Sequence, residues 1–572
     1  MQVAVLNTPG GMSAYAAEIL RAWGVRNVKL CEPAETANLD PRRVPVLLAP
    51  ASEDSSAADG LLNYAKKGGV LLSCLPSEHV EKAVGLKRGA ECVPPLSLRI
   101  TGLPAAGLAG EHLPLVLPTR SYEAPEKALP LAWTFVPGKE PEQDALAVVS
   151  CAVGAGRAII FGFDLPRVVM HLRQGDPRNA ERSPLPIPWC HTPNFLACEL
   201  GPSAPGWVPF ADLLGRWLVD LVQSSLPAPV PLLWHLPEGL PALVLYSGDE
   251  DGADVDWNTR QMANLAEAGA RMNLYIIPNG TKSTAADARR YREHHDLGPH
   301  PDLRALDGKP VPQRLAEYEQ QVRQFEERFG QKARSVRNHC AAWAGYMDLV
   351  EVQERLGLRM DVNYITGGLG RARAEAPYAS FGGALPLRFC RPDGRLLQVF
   401  QQHTHLEDDV LFRAQWNGHY SYKLDPNVWE SFFDRVLDDS LQRLHVPVNI
   451  NIHPSNWIGF SNEPSNYVLQ ACRQRNVPVW SVDQWLDFWE ARDAWAVEEV
   501  TWDGQRLRLT AAGSKNHPGL RWMLPAQYAG RELQEVRVNG EKCSLAPTRR
   551  YRHDAVPLRT ASKQMDLEAR YD

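Results

Sequence analysis

A chain of 572 residues, with 44% hydrophobic and 22% charged residues, has the composition of an ordinary globular protein and is long enough for several domains of ~100–200 residues each. Its formal charge of -6 is spread along the sequence and leaves no basic stripe of the kind that nucleic acid or an anionic membrane requires. No apolar run reaches the ~18 residues of a membrane span, so sugars, peptides and small molecules remain as partners.

The opening "MQVAVLNTPGG" enters a strand pattern at once, with neither a basic n-region nor a long apolar h-region, so no signal peptide is expected. The cysteines are scattered and no two have CxxC spacing, which argues against a cysteine zinc site or a dithiol redox motif. Reduced thiols and a cytoplasmic location are the expectation.

Residues 1–170 alternate β-rich runs with helical patterns: "QVAVLN", "SAYAAEILRAWGV", "VPVLLAPAS", "GLLNYAKKGGVLLSCLP" and "GRAIIFGFDL". Such alternation predicts a parallel sheet covered by helices on both faces. The layout resembles the flavodoxin-like sheet of class I glutamine amidotransferase-like domains, with "GGVLLSCLP" where that family carries its nucleophile elbow. The chemistry departs from the family, because Cys74 lies between Ser73 and Leu75 rather than between glycines and no His-x-Glu follows. Cys74 is therefore expected to be a buried thiol, and the domain non-catalytic.

Residues 171–235 are rich in proline, as in "RNAERSPLPIPWCHTPNF", and read as a connector. Residues 236–495 return to β/α alternation, with so many units that a closed or nearly closed (β/α) barrel is the economical arrangement. Residues 496–572 carry turn signals such as "WDGQ" and "VNGE" between alternating strands, predicting a small antiparallel β-sandwich. The fold class expected is thus α/β multidomain.

The chemistry gathers in the third region. "SGDEDG" places Asp249, Glu250 and Asp251 together at the end of an apolar strand, and carboxylates so close repel one another unless a cation is present. "HHDLGPHPDL", "VRNHCAAW", "DVNY" and "NINIHPSNW" then bring His300, His339, Asp361, Asn363 and His453 to the ends of successive strands. In that order the motifs resemble those of the polysaccharide deacetylase superfamily (NodB homology, carbohydrate esterase family 4), whose barrel holds a divalent metal on one Asp and two His. The resemblance covers roughly residues 240–490.

It implies a metal ligand and a general base among the first acids. Aligning the glycine makes Asp251 the ligand and Glu250 the base; aligning the serine makes Asp249 the base. Alternate residues at a strand end point to one side, which favours Asp249 and Asp251 and keeps Glu250 in reserve. In the second motif "HDLGPH" supplies His300, but Arg304 stands where the family's other histidine would be, so His339 is the natural substitute. An Asp251–His300–His339 set suits zinc.

Arg337 would pair with the base, and His453 would act as general acid, tuned by Asp361 with Asp408 or Asp409 as reserves. Asp361, Asn363 and Trp457 are the expected substrate contacts, with Trp343 and Trp457 able to stack on sugar rings. The implied activity is metal-dependent removal of an acetyl group from an N-acetylated saccharide. Two alternatives stay open: a metal-free hydrolase of C–N bonds in a small amide, and a degenerate barrel in a glycan-binding protein. The first domain is left to cover one mouth of the barrel or to mediate a homo-oligomer.

Overall fold

The computed structural model describes residues 1–52, 55–102, 108, 111–137, 144–182, 192–195, 208–365, 382–413, 421–551 and 553–572. Much of the proline-rich connector, at 183–191 and 196–207, lies outside the described residues.

In the first region, strands Val28–Cys31, Val3–Leu6, Val46–Ala49, Val70–Cys74 and Gly156–Phe161 lie side by side and parallel. Their residues alternate between two apolar layers: Val3 and Val5 pack under helix Ser13–Ala22, whereas Ala4 and Leu6 pack under helix Ala58–Lys66. Parallel strands covered on both faces read as continuous apolar runs for this reason.

The same sheet continues through Ala145–Val153, Leu129–Phe135, Leu96–Ile100 and His112–Leu115, all antiparallel. It is therefore a mixed nine-stranded sheet rather than the purely parallel one expected. The reason is local: strands without a crossover helix between them must fold back on themselves. Gly154 makes the tightest of these turns at φ +59°, where a Cβ would meet the Lys66 carbonyl oxygen at 2.7 Å.

In the third region, Asp296–Pro299, Asn273–Ile276, Leu243–Asp249, Pro447–Asn451 and Leu406–Glu407 form a parallel sheet, joined by Val479–Trp480 beside Leu243–Asp249. A second sheet carries Ser335–Val336, Met360–Asp361 and Leu396–Gln401 in parallel, with Leu387–Cys390 antiparallel at its edge. The two sheets approach one another where Arg337 N–H reaches the Pro299 carbonyl at 3.4 Å. The hydrogen-bonded ladder is thus two arcs among the described residues, not one continuous ring. Because the long strands run the same way, the residues after each of them share one rim.

The C-terminal region holds two antiparallel sheets, one built on Trp495–Trp502, Arg506–Gly513, Gln564–Tyr571 and Arg531–Val538, the other on Arg521–Pro525, His553–Arg559 and Thr548–Arg550. The connector strand Leu232–Leu233 completes the second sheet by pairing with Trp522 and Met523. Arg492 ties the regions together, donating to the carbonyls of Arg21, Ala22, Leu233 and Trp234 from a fully buried position. Among the described residues no helix is long and apolar enough to cross a membrane.

Candidate active site

Strand Leu243–Asp249 is buried along its whole length and delivers Asp249 to the rim. Gly248 makes the approach possible: a Cβ there would lie 2.6 Å from the Ile452 carbonyl oxygen and 2.8 Å from the Met272 methyl. The chain then turns sharply, with Asp251 at φ +49° and Gly252 at φ +71°. That left-handed pair throws the Asp251 side chain back over the strand ends.

Glu250 goes the other way. Its carboxylate accepts from the Thr281 hydroxyl at 2.6 Å and from Gly252 N–H at 3.2 Å, and the residue is fully buried. It is a turn-locking residue, and its reserve role as base does not fit this geometry.

His300 follows strand Asp296–Pro299 directly and is fully buried. Its Nδ1–H donates to the Arg337 carbonyl at 2.8 Å, leaving Nε2 facing Asp251 Oδ1 at 3.1 Å. His339 opens a single turn after strand Ser335–Val336, and its Nε2 lies 3.6 Å from the same Asp251 oxygen. Its Nδ1 is held by Asp302 Oδ2 at 3.1 Å. Asp302 in turn is clasped by Arg304, with Nε to Oδ1 at 3.0 Å and Nη2 to Oδ2 at 2.9 Å. Arg304 thus stands where the family's second histidine would be and reaches His339 through Asp302.

Asp251, His300 and His339 form a group that could hold a metal ion. Two imidazoles with Nδ1 fixed by a carbonyl and a carboxylate, and Nε2 turned toward a third ligand, are the arrangement that orients metal-ligating histidines. The same groups also interact electrostatically. Burial by itself would raise the Asp251 carboxyl, but the hydrogen bond to His300 and the charges of His453, His300 and His339 outweigh it and hold it well below the usual range. Burial disfavours the charged imidazole of His300, yet Asp249 and Asp251 overcome this and raise its pKa. Two further groups, Asp249–Glu407–His453 and Asp408–Asp409–His453, share His453. They suit a cation less, because Arg337 already faces Asp249 and Asp408 occupies His453 Nδ1.

Across from this triad, Asp249 is 4% exposed, with Arg337 Nε 3.3 Å from Oδ1 and Asn451 Nδ2 donating to Oδ2 at 3.0 Å. The Arg337 contact is ionic and lacks hydrogen-bond alignment; the terminal nitrogens of that guanidinium donate instead to the Thr404 hydroxyl at 3.2 and 2.6 Å. His453 Nε2 lies 3.7 Å from both Asp249 Oδ2 and Asp251 Oδ2. Its Nδ1 faces Asp408 Oδ1 at 2.6 Å, and the other Asp408 oxygen accepts from His453 N–H at 3.1 Å and the Ser461 hydroxyl at 3.0 Å. Burial would lower the imidazole pKa, but Asp408 and Asp409 hold it well above its ordinary value. The six side chains Asp249, Asp251, His300, Arg337, His339 and His453 therefore converge as the sequence order suggests.

Asp361, Asn363 and the tryptophans do not join them. Asp361 is fully buried and accepts from Gln353 Nε2 at 2.6 Å, Asn363 N–H at 2.9 Å and Asn363 Nδ2 at 2.6 Å, while Asn363 Oδ1 accepts from Asn338 N–H. The pair braces the loop behind Arg337, and Asp408, not Asp361, is the partner of His453. Burial makes the difference: a side chain closed on all sides by protein donors has nothing left for substrate. Trp343 is core, its indole N–H donating to the Tyr346 carbonyl, and Trp457 is 6% exposed within the apolar cluster, so neither offers a sugar a free face. His403 and His405 are likewise buried and bonded to backbone.

Sequence reasoning did not reach Asp302, Asn451 and Glu407. Asn451 had a signal, since "NINIHP" puts Asn449, Asn451 and His453 on one side of a strand. In the first domain, burial pushes the Cys74 thiol far up, with Asp164 adding to the effect, so it is no thiolate nucleophile.

Fold and site together define an α/β protein with a buried cluster of acids and histidines at the rim of parallel strands, part of which could hold a metal ion. No family model and no curated protein matches the chain. Among solved structures it is similar over 100% of its length to 99% of Agd3, described as a novel carbohydrate deacetylase, at 9% identity and TM-score 0.42. It is also similar over 46% of its length to 70% of a wild-type CE4 family pseudoenzyme from Bacillus anthracis, at 12% identity and TM-score 0.25. A β-galactosidase from Bacillus circulans sp. alkalophilus aligns with 28% of each chain at 12% identity and TM-score 0.23. Likenesses this distant establish neither activity nor substrate, so the functional reading rests on the site itself.

Proposed function

We propose that the protein is a metal-dependent hydrolase that removes the acetyl group from an N-acetylated saccharide. One observation carries the reading: a three-ligand group, Asp251–His300–His339, opens toward an Arg-paired carboxylate on one side and an Asp-backed imidazole on the other. A divalent cation held there, zinc by the donor set, would supply Lewis acidity to the acyl carbonyl and to an attacking water.

The protein's own groups divide the proton work. Asp249, paired with Arg337 and aimed by Asn451, takes the proton of the attacking water at Oδ2. His453, charged and held through Nδ1 by Asp408, gives its Nε2 proton to the leaving amine. The C–N bond breaks as that nitrogen is protonated, giving acetate and a free amino group. The near-complete burial of Asp249, His300 and His453 excludes bulk water and strengthens each of these interactions.

The test is metal content by elemental analysis together with acetate release from N-acetylated saccharides, beside a His300→Ala control. About one zinc per chain and acetate release, both lost in the control, support the reading. A chain that takes up neither zinc nor cobalt overturns it.

A further inference from the structure

Glu407 ends strand Leu406–Glu407 and pairs in register with Asn451 on the neighbouring parallel strand. Register partners project to the same face. Asn451 points at Asp249, and Glu407 does as well: its carboxyl oxygen, an Asp249 oxygen and a His453 nitrogen all lie within 4.8 Å of one another. Glu407 is only 9% exposed, and among the described residues no side chain or backbone N–H donates to its carboxyl.

Two buried carboxyls this close lie beside two cations, the Arg337 guanidinium and the His453 imidazolium, and they do not share them equally. Arg337 stands 3.3 Å from Asp249, which has the Asn451 amide as well. Asp408 already engages the His453 charge through Nδ1, so repulsion between like charges at this separation in a dry site strongly raises the pKa of one of the two groups. Among the described residues, the group without donors is Glu407. We propose that Glu407 is a further catalytic residue, a carboxylic acid that stays neutral beside Asp249 and donates a hydrogen bond to the substrate lying between Asp249 and His453.

This rests on the hydrolase reading above for its substrate, but not for its protonation. The groups facing Glu407 are Asp249 and Asp409, which oppose its ionisation, Arg337 and His453, which favour it, and the Cys340 thiol. Burial is the largest influence, and the carboxyl is pushed up to about 7. The neighbouring acids thus have different work: Asp249 accepts a proton, Glu407 keeps one.

The experiment compares wild type, Glu407→Gln and Glu407→Ala in acetate release across pH 5–9, with difference infrared spectra of wild type minus Glu407→Gln. Glutamine retains a donor at the same reach. Glu407→Gln is expected to keep activity within about threefold and to lose the decline that wild type shows above about pH 7, whereas Glu407→Ala falls about 10- to 100-fold, as for a lost hydrogen bond to a charged centre. The infrared spectrum is expected to show a protonated carboxyl at pH 6 that titrates away by pH 9. Equal damage in both variants, or full activity in Glu407→Ala, overturns the proposal. So does the absence of that carboxyl band at pH 6, even if wild type releases no acetate, a result that would sink the hydrolase reading separately.

Discussion

Removing the Asp302 carboxylate tests whether His339 is a ligand set in place by its surroundings. Asp302 Oδ2 sits 3.1 Å from His339 Nδ1 and fixes which imidazole nitrogen faces Asp251. Three contacts from one residue immobilise that carboxylate: Arg304 N–H at 3.0 Å, Nε at 3.0 Å and Nη2 at 2.9 Å. With Asp302→Ala the ring is free to turn, and its 14% exposure lets water take the vacated position. Loss of such an outer carboxylate typically weakens metal binding ~10–100-fold, which is ~1.4–2.7 kcal/mol. Because the Asp302 side chain is itself 29% exposed, folding stability should shift by less than ~1 kcal/mol. Arg304→Ala should weaken zinc binding less, and the double variant no more than Asp302→Ala alone, since Arg304 acts through Asp302. Competition against a chromogenic zinc chelator at fixed pH measures all three. Zinc affinity within about twofold of wild type in Asp302→Ala would refute the placement of His339 in the metal site.

Asp408→Asn should retain zinc but lower kcat ~100-fold, because the imidazolium of His453 loses the charge that holds it; steady-state acetate release beside metal analysis separates this from loss of the site. Arg337→Met should destabilise the fold by ~3–5 kcal/mol, because the buried Asp249 carboxylate is left without its cation, and a chemical-denaturation midpoint unchanged from wild type would contradict the pairing. For Glu407, the folded carboxyl titrates near 7 against an ordinary 4.5, so the folded state binds the proton more tightly. Its contribution is fully present below about pH 4.5 and is lost as the pH rises through about 7; at ~1.4 kcal/mol per pH unit that is roughly 3 kcal/mol. Wild type minus Glu407→Gln stability, measured by denaturation from pH 4 to 8, should follow that slope, and a flat difference would contradict it.

The regular elements were legible where chain periodicity and burial agree. "PALVLYSGDED" reads as a buried strand with acids at its end because both faces are covered and only the rim is polar. The antiparallel half of the first sheet was not legible from alternation. Whether "ALAVVSCAV" continues a parallel order or folds back on "GRAIIF" depends on the turn at Gly154, which leaves no room for a crossover helix. The division of the third region into two arcs was equally hidden, because it depends on hydrogen bonds between short strands such as Ser335–Val336 and Met360–Asp361 that carry almost no pattern of their own.

In the site, what the sequence order carried were the residues at strand ends, and what it missed were the residues that act on them. Asp249, Asp251, His300, Arg337, His339 and His453 each close an apolar run, so their convergence follows from parallel strands sharing a rim. Asp361 closes a run too, yet it turns inward to Gln353 and Asn363, and only the three donors around it distinguish a bracing acid from a working one. Asp408 and Glu407 show the same limit from the other side. They are adjacent in "HLEDD", and one supports His453 through Nδ1 while the other faces Asp249 with no donor among the described residues, a division set by the start of helix Asp408–Phe412 rather than by residue type. The chemistry of a carboxyl in this protein is decided by which donors reach it, and those donors come from segments far away in sequence.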